Sequence, residues 1–202
     1  MVALLLLVAL NNPADALVEK VIRAYGGAAA WESVVSFRQI GTVTPAMRPG
    51  EGKLTREWQR PDKLRVEIVY QTNTEVRVVD GDHGTQNGKE ATGMGLNAMR
   101  LQAARLGLPL LLADKKSSLR AVAEDTIEIA LAPAVTLTIT IDKANGHIIK
   151  SVGKAEGIEF STNYSDFRMV DGLLFAFREE NSAQGTRTGT NQISKIEITR
   201  VK

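Results

Sequence analysis

Residues 54–81 read LTREWQRPDKLRVEIVYQTNTEVRVVDG. After Pro61 the apolar residues Leu64, Val66, Ile68 and Tyr70 alternate with Lys63, Arg65 and Glu67. A period of two puts one face on an apolar interior and the other in water, which predicts strands. Arg60-Pro61-Asp62 interrupts the strand before it, because proline brings no N–H to a ladder and restricts its predecessor. Asp80-Gly81 closes the stretch with turn chemistry.

Outward from this stretch the same pattern recurs. Strands are predicted over 37–44, 53–59, 63–71 and 74–80, with a weaker polar strand over 85–91 around Asn87-Gly88. Further strands are predicted over 118–123, 126–131, 135–142, 147–154, 157–167, 173–180 and 191–200. Asn145-Gly146 and Asp171-Gly172 mark tight hairpins. Val135, Leu137, Ile139 and Ile141 alternate with Thr136, Thr138 and Thr140, a one-sided strand. The polar, glycine-bearing segment 182–190 is expected to be a mobile loop.

Helical spacing appears in three places. Asn12-Pro13 offers an N-cap followed by proline. Ala16, Val18, Val21, Ile22 and Tyr25 then follow a helical period up to Gly26-Gly27. A second short helix over 28–35 carries Trp31. In 95–112 the residues Leu96, Met99, Ala103, Leu106 and Leu110 share a face, and Gly107 and Pro109 predict a kink or split.

The expected fold is therefore mainly β: an open antiparallel half-barrel of about eleven strands in one meander, with helices over its concave face. A chain of 202 residues is most simply a single domain, here 17–202, and can bury a sizeable core.

Composition narrows the function classes. The net charge is +2, with Lys and Arg spread along the chain and no basic block, which argues against nucleic acid as a partner. The chain has no cysteine, so disulfides, thiolate metal sites, a cysteine nucleophile and lipid attachment through an N-terminal cysteine are excluded. Val2 to Leu10 is apolar but shorter than the roughly 20 residues a spanning helix needs, so an integral membrane protein is not expected. With the A-x-A pattern Ala14-Asp15-Ala16 after it, residues 1–16 resemble a secretory signal lacking its basic n-region. The other reading makes Val2–Leu10 the first buried element.

The layout resembles the outer-membrane lipoprotein-sorting family, the LolA-like proteins. The residues carrying the resemblance are the run from Gly52 to Arg60-Pro61-Asp62, the turn Val79-Asp80-Gly81 and the turn Asp171-Gly172-Leu173. The resemblance implies a periplasmic protein with an open barrel, helices closing over a lipid-binding cavity, and the acyl chain of a lipid or lipoprotein as partner. It also implies an inner- or outer-membrane receptor for the loaded protein. Arg60 occupies the place of the family's lid lock, which hydrogen-bonds to lid-helix backbone; in that logic Arg60→Leu loads cargo and fails to release it. The chain departs from the family's pattern in having aliphatic Leu64, Val66 and Ile68 where aromatic residues are expected. It also carries GDHGTQNG over 81–88, where a tryptophan is common.

A cavity would be lined by Phe37, Leu54, Trp58, Leu64, Val66, Ile68, Leu137, Ile139, Phe160 and Phe175, with Met99, Leu106 and Leu110 from the lid. These inward positions offer almost no charge, so the expected ligand is apolar. Burying an acyl chain is worth about 0.8 kcal/mol per CH₂. The same stripes would equally line a fully packed barrel, in which case the chain is a ligand-free interaction module. No cofactor or metal is expected, and no enzyme, since G-x-S-x-G and H-E-x-x-H are both missing; an uncharacterised enzyme is the second alternative, after the interaction module. His83 and His147 read as exposed loop-edge residues. Glu124-Asp125 and Glu179-Glu180 are adjacent pairs that diverge to opposite faces of a strand.

Overall fold

The computed structural model describes residues 13–114 and 119–201. Val2–Leu10 lies outside the described residues. Two helices come first: α1 (Pro13–Ala24) and α2 (Ala28–Glu32). Six strands follow, each beside the last: β1 (Val34–Pro45), β2 (Gly52–Gln59), β3 (Lys63–Val69), β4 (Thr74–Asp80), β5 (His83–Gln86) and β6 (Lys89–Glu90). Through α3 (Gly93–Leu106) and α4 (Leu108–Asp114) the chain crosses to the opposite edge of the sheet. There β7 (Leu119–Ala123), β8 (Thr126–Ala132), β9 (Val135–Ile141) and β10 (Ile148–Ala155) begin the return. Next come β11 (Ile158–Val170), β12 (Leu173–Ala183) and β13 (Thr186–Arg200).

Among the described residues the sheet has thirteen strands in the order β6-β5-β4-β3-β2-β1-β13-β12-β11-β10-β9-β8-β7, all antiparallel neighbours. It is two meanders joined along β1 and β13, with Phe37 opposite Ile198 and Thr44 opposite Thr190. The expectation of a single meander is corrected here. A local periodicity carries no sign of a pairing between distant strands. Among the described residues no strand joins β6 to β7 or pairs with either outer edge, so the barrel is open.

Two local expectations also change. Residues 85–91 form a hairpin, because Asn87 and Gly88 both adopt positive φ (52° and 76°) and turn the chain between β5 and β6. Residues 182–190 are ladder and turn: Ser182 pairs with Arg187 and Ala183 with Thr186 around Gln184-Gly185, again both at positive φ. A glutamine at a left-handed turn position hides the signal that asparagine would have given.

The core lies between the concave face and the helices. From α1, the buried side chains of Ala14, Val18 and Val21 pack inward, followed by Tyr25 just past its end. Ala14, Asp15 and Ala16 thus form its first turn, and a leader cut after Ala16 would remove it. Gly26 (φ 109°) follows, where a Cβ would fall 2.2 Å from the Gly172 carbonyl oxygen. The Tyr25 hydroxyl accepts from the Ile148 amide at 3.1 Å, and the Tyr25 carbonyl accepts from Trp31 Nε1 at 2.8 Å. These bonds tie α1 to β10 and α2.

Trp31, Phe37, Trp58 and Phe175 form an aromatic cluster with successive ring centroids 5.1–6.4 Å apart. The predicted helix split falls at Gly107, where a Cβ would lie 2.7 Å from the Trp58 ring. Pro109 then sits in the first turn of α4, where its missing N–H does no harm.

Trp58 is 1 % exposed and its indole N–H has no partner among the described residues. Trp58→Ala is therefore expected to destabilise the protein by about 3–5 kcal/mol. Trp58→Phe should cost far less, since no hydrogen bond is lost. Chemical denaturation followed by far-UV circular dichroism checks both.

Candidate functional site

On β2 the residues Leu54, Arg56 and Trp58 are all buried, alternating with outward Thr55 and Glu57. The parity that sends Leu54 and Trp58 inward sends Arg56 with them. On β12 the parity of Leu173, Phe175 and Phe177 likewise continues to buried Glu179. Arg56 and Glu179 meet across the concave face: Nη1 donates to Oε2 at 2.7 Å and Nη2 to Oε1 at 2.8 Å. Asn191 Nδ2 donates to the same Oε2 at 2.8 Å. Burial alone would raise the Glu179 pKa, but attraction to Arg56 and hydrogen bonds from Arg56 and Asn191 outweigh it, leaving the carboxyl below its ordinary range.

The pair borders a cavity of about 340 Å³. One part of its wall is apolar, from Val43, Leu54, Val66, Ile68, Leu106 and Phe160. The rest is polar, including Glu75, Arg77, Gln102, Arg105, Thr162 and Tyr164. Arg105 Nη2 donates to the Phe160 carbonyl at 2.6 Å, while its buried Nε has no partner among the described residues. Arg77 lies opposite Val66 in the ladder, on the same face. Burial lowers the pKa of both guanidiniums, yet arginine stays cationic. Burial likewise raises the Tyr164 pKa, keeping the phenol neutral, with its hydroxyl 2.8 Å from Ser151 Oγ. The expectation of a nearly uncharged interior is therefore corrected. Charge is accommodated inside because Arg56 and Glu179 neutralise one another with matched fork geometry.

Of the expected lining residues, Leu54, Val66, Ile68, Leu106 and Phe160 line this cavity. Phe37, Trp58 and Phe175 belong to the aromatic cluster, and Leu64, Met99, Leu137 and Ile139 are buried in the core. Leu110 and Arg60 border a second cavity of about 270 Å³ between the Arg60–Asp62 turn and α3–α4. The Arg60 peptide to Pro61 is cis, and Arg60 Nη1 donates to the Glu32 carbonyl at the end of α2 at 2.8 Å. His83 is exposed, whereas His147 is half-buried against Phe167, with ring centroids 4.5 Å apart. Among the described residues no group of three or more His, Cys, Asp or Glu could hold a metal, and no helix is long and apolar enough to cross a membrane.

Removing one partner of a buried ion pair strands the other charge. Glu179→Leu should cost about 3–5 kcal/mol, and Arg56→Met/Glu179→Leu together should recover most of that loss. Because the folded-state pKa of Glu179 is depressed, its contribution is fully present above the unfolded carboxylate value of about 4.3 and is lost as pH falls through the folded value. The stability gap between the unmodified protein and the double variant should thus change across that acid window. Urea titrations at a series of pH values measure it.

No family model matches the sequence, and no curated protein matches it. Solved structures do resemble the fold. A LolA superfamily protein from Nitrosomonas europaea superposes with a TM-score of 0.55 at 7 % identity, covering 94 % of each chain. A DUF1329 family protein from Desulfovibrio piger superposes with a TM-score of 0.53 at 8 % identity, over 93 % of this chain and 94 % of that one. At such identities the likeness concerns the fold alone. With its open antiparallel sheet and its helices across the concave face, the chain has a LolA-like fold.

Proposed function

We propose that this protein binds the acyl chain of a lipid or lipoprotein inside the half-barrel and shields it from water. The observation that carries the reading is the cavity of about 340 Å³ whose wall includes Val43, Leu54, Val66, Ile68, Leu106 and Phe160. A chain that buries a dozen methylenes gains on the order of 10 kcal/mol before ordering costs, and needs no catalytic group. In this reading the N-terminal helices α1 and α2 act as the lid together with α3 and α4, which join the two edges of the sheet. Arg60, bonded to the end of α2, favours the closed arrangement. Transfer to a membrane receptor follows only if the receptor holds the chain more tightly, since a carrier moves cargo through differential affinity. Residence in the periplasm, with sorting of lipoproteins towards the outer membrane, is the setting that fits such a carrier, and the apolar run Val2–Leu10 supports export.

A second reading has a specific basis too. The cluster of Trp31, Phe37, Trp58 and Phe175 fills part of the half-barrel with the protein's own rings, as a ligand-free interaction module would.

Native mass spectrometry of protein purified from an envelope fraction separates the two. Copurifying acyl species are expected; protein that is ligand-free and does not bind Nile red would favour the interaction module. Leu106→Trp should fill part of the cavity and weaken binding of a fluorescent fatty acyl probe at least tenfold while the circular dichroism spectrum is retained. Arg60→Leu is expected to load the probe and to release it more slowly to acceptor vesicles. Release as fast as from the unmodified protein would remove Arg60 from the lock role.

A further inference from the structure

We propose that the cavity takes an amphiphile with a single acyl chain and an anionic head, and that Arg77 and Arg105 hold the head. This rests on the acyl-binding reading and specifies the other end of the ligand.

Three guanidiniums line the cavity, those of Arg56, Arg77 and Arg105, against two carboxylates, those of Glu75 and Glu179. Both carboxylates are already engaged. Glu179 takes the two-pronged contact from Arg56 and a further bond from Asn191. Glu75 accepts from Arg48 Nη2 at 2.6 Å, and Arg48 in turn lies over the Tyr70 ring at 3.6 Å. Two cations are left over. The Arg77 guanidinium makes no hydrogen bond among the described residues, and Arg105 directs one nitrogen to the Phe160 carbonyl and leaves Nε without a partner.

Both guanidiniums are half-buried and feel Glu75 or Glu179 only through space; among the described residues no carboxylate is hydrogen-bonded to either. Desolvated cations of this kind collect at sites built to receive a ligand. Each guanidinium offers five donors in a planar fork that matches the oxygens of a carboxylate or a phosphate. The surroundings also set where the tail lies. Arg77 sits opposite Val66, and Arg105 precedes Leu106, so both cations adjoin the apolar wall. A head held there leaves its chain against Leu54, Val66, Ile68 and Leu106.

The test is displacement of Nile red by four ligands with the same twelve-carbon chain: dodecanoate, dodecyl phosphate, dodecan-1-ol and dodecyltrimethylammonium. The anions are expected to displace the dye at concentrations at least tenfold lower than the alcohol, with the cation weakest. The ranking of dodecanoate against dodecyl phosphate shows which oxyanion the site prefers. Arg77→Gln and Arg105→Gln should each cut the anion-over-alcohol ratio several-fold, and the double variant should abolish it. Equal displacement by alcohol and anions from the unmodified protein overturns the proposal, as does a ratio that survives the double variant. Should the variants fail to fold, the ranking on the unmodified protein decides alone. If none of the four displaces the dye, the acyl-binding reading itself fails and the proposal falls with it, a result distinct from equal displacement.

Discussion

The contact between Arg56 and Glu179 sets the shape of the molecule. β2 and β12 are three places apart in the sheet, with β1 and β13 between them. In a flat sheet such strands lie about 14 Å apart. Two-pronged contact at 2.7 and 2.8 Å across that span ties together two strands that share no ladder, over the inner face of the sheet. The pair is therefore a chord across the arc of the half-barrel. It also explains why these charges are tolerated when buried: each ion is the other's solvent, and Asn191 completes the carboxylate's bonding. Hydrophobic residues of similar volume could fill the same space, but they would not fix a distance between the two strands.

That chord divides the interior into regions of different character. Towards α2 and α4, aromatic rings pack against one another and leave only a small void of about 50 Å³ beside Trp31 and Phe175. Around β3, β4 and the end of α3 the filling stops, and the lining becomes half hydrocarbon and half polar. Gly107 marks a junction between these regions, because the chain can pass the Trp58 ring there only without a side chain. The helix break is thus a packing consequence, and it directs α4 into the aromatic region while α3 lies over the sheet.

Much of this was legible in the residues. Alternation placed β3 and β4 closely, and 74–80 coincides with the observed strand. Gly107 and Pro109 announced the division between α3 and α4. Arg56 was legible as well, since Leu54 and Trp58 flank it at the same parity, yet a charged residue in an inward slot is easily dismissed until its partner is seen. The partner lies more than a hundred residues away, and pairing at that distance leaves no local trace. The same reason hid the union of β1 with β13. Nor does periodicity separate a lining residue from a packed one: Val66 faces a void and Leu137 is buried in the core, although both alternate in the same way.

The seam between β1 and β13 has a consequence for how the molecule comes into being. Every other strand lies between these two along the chain, so the middle of the sheet is the last part to close. While the polypeptide emerges, β1 can pair with β2 on one side, but its other edge stays open to foreign strands until β13 is made. Closure over such a sequence separation is slow by nature. A chain of this topology cannot complete its sheet until its last strand has been made.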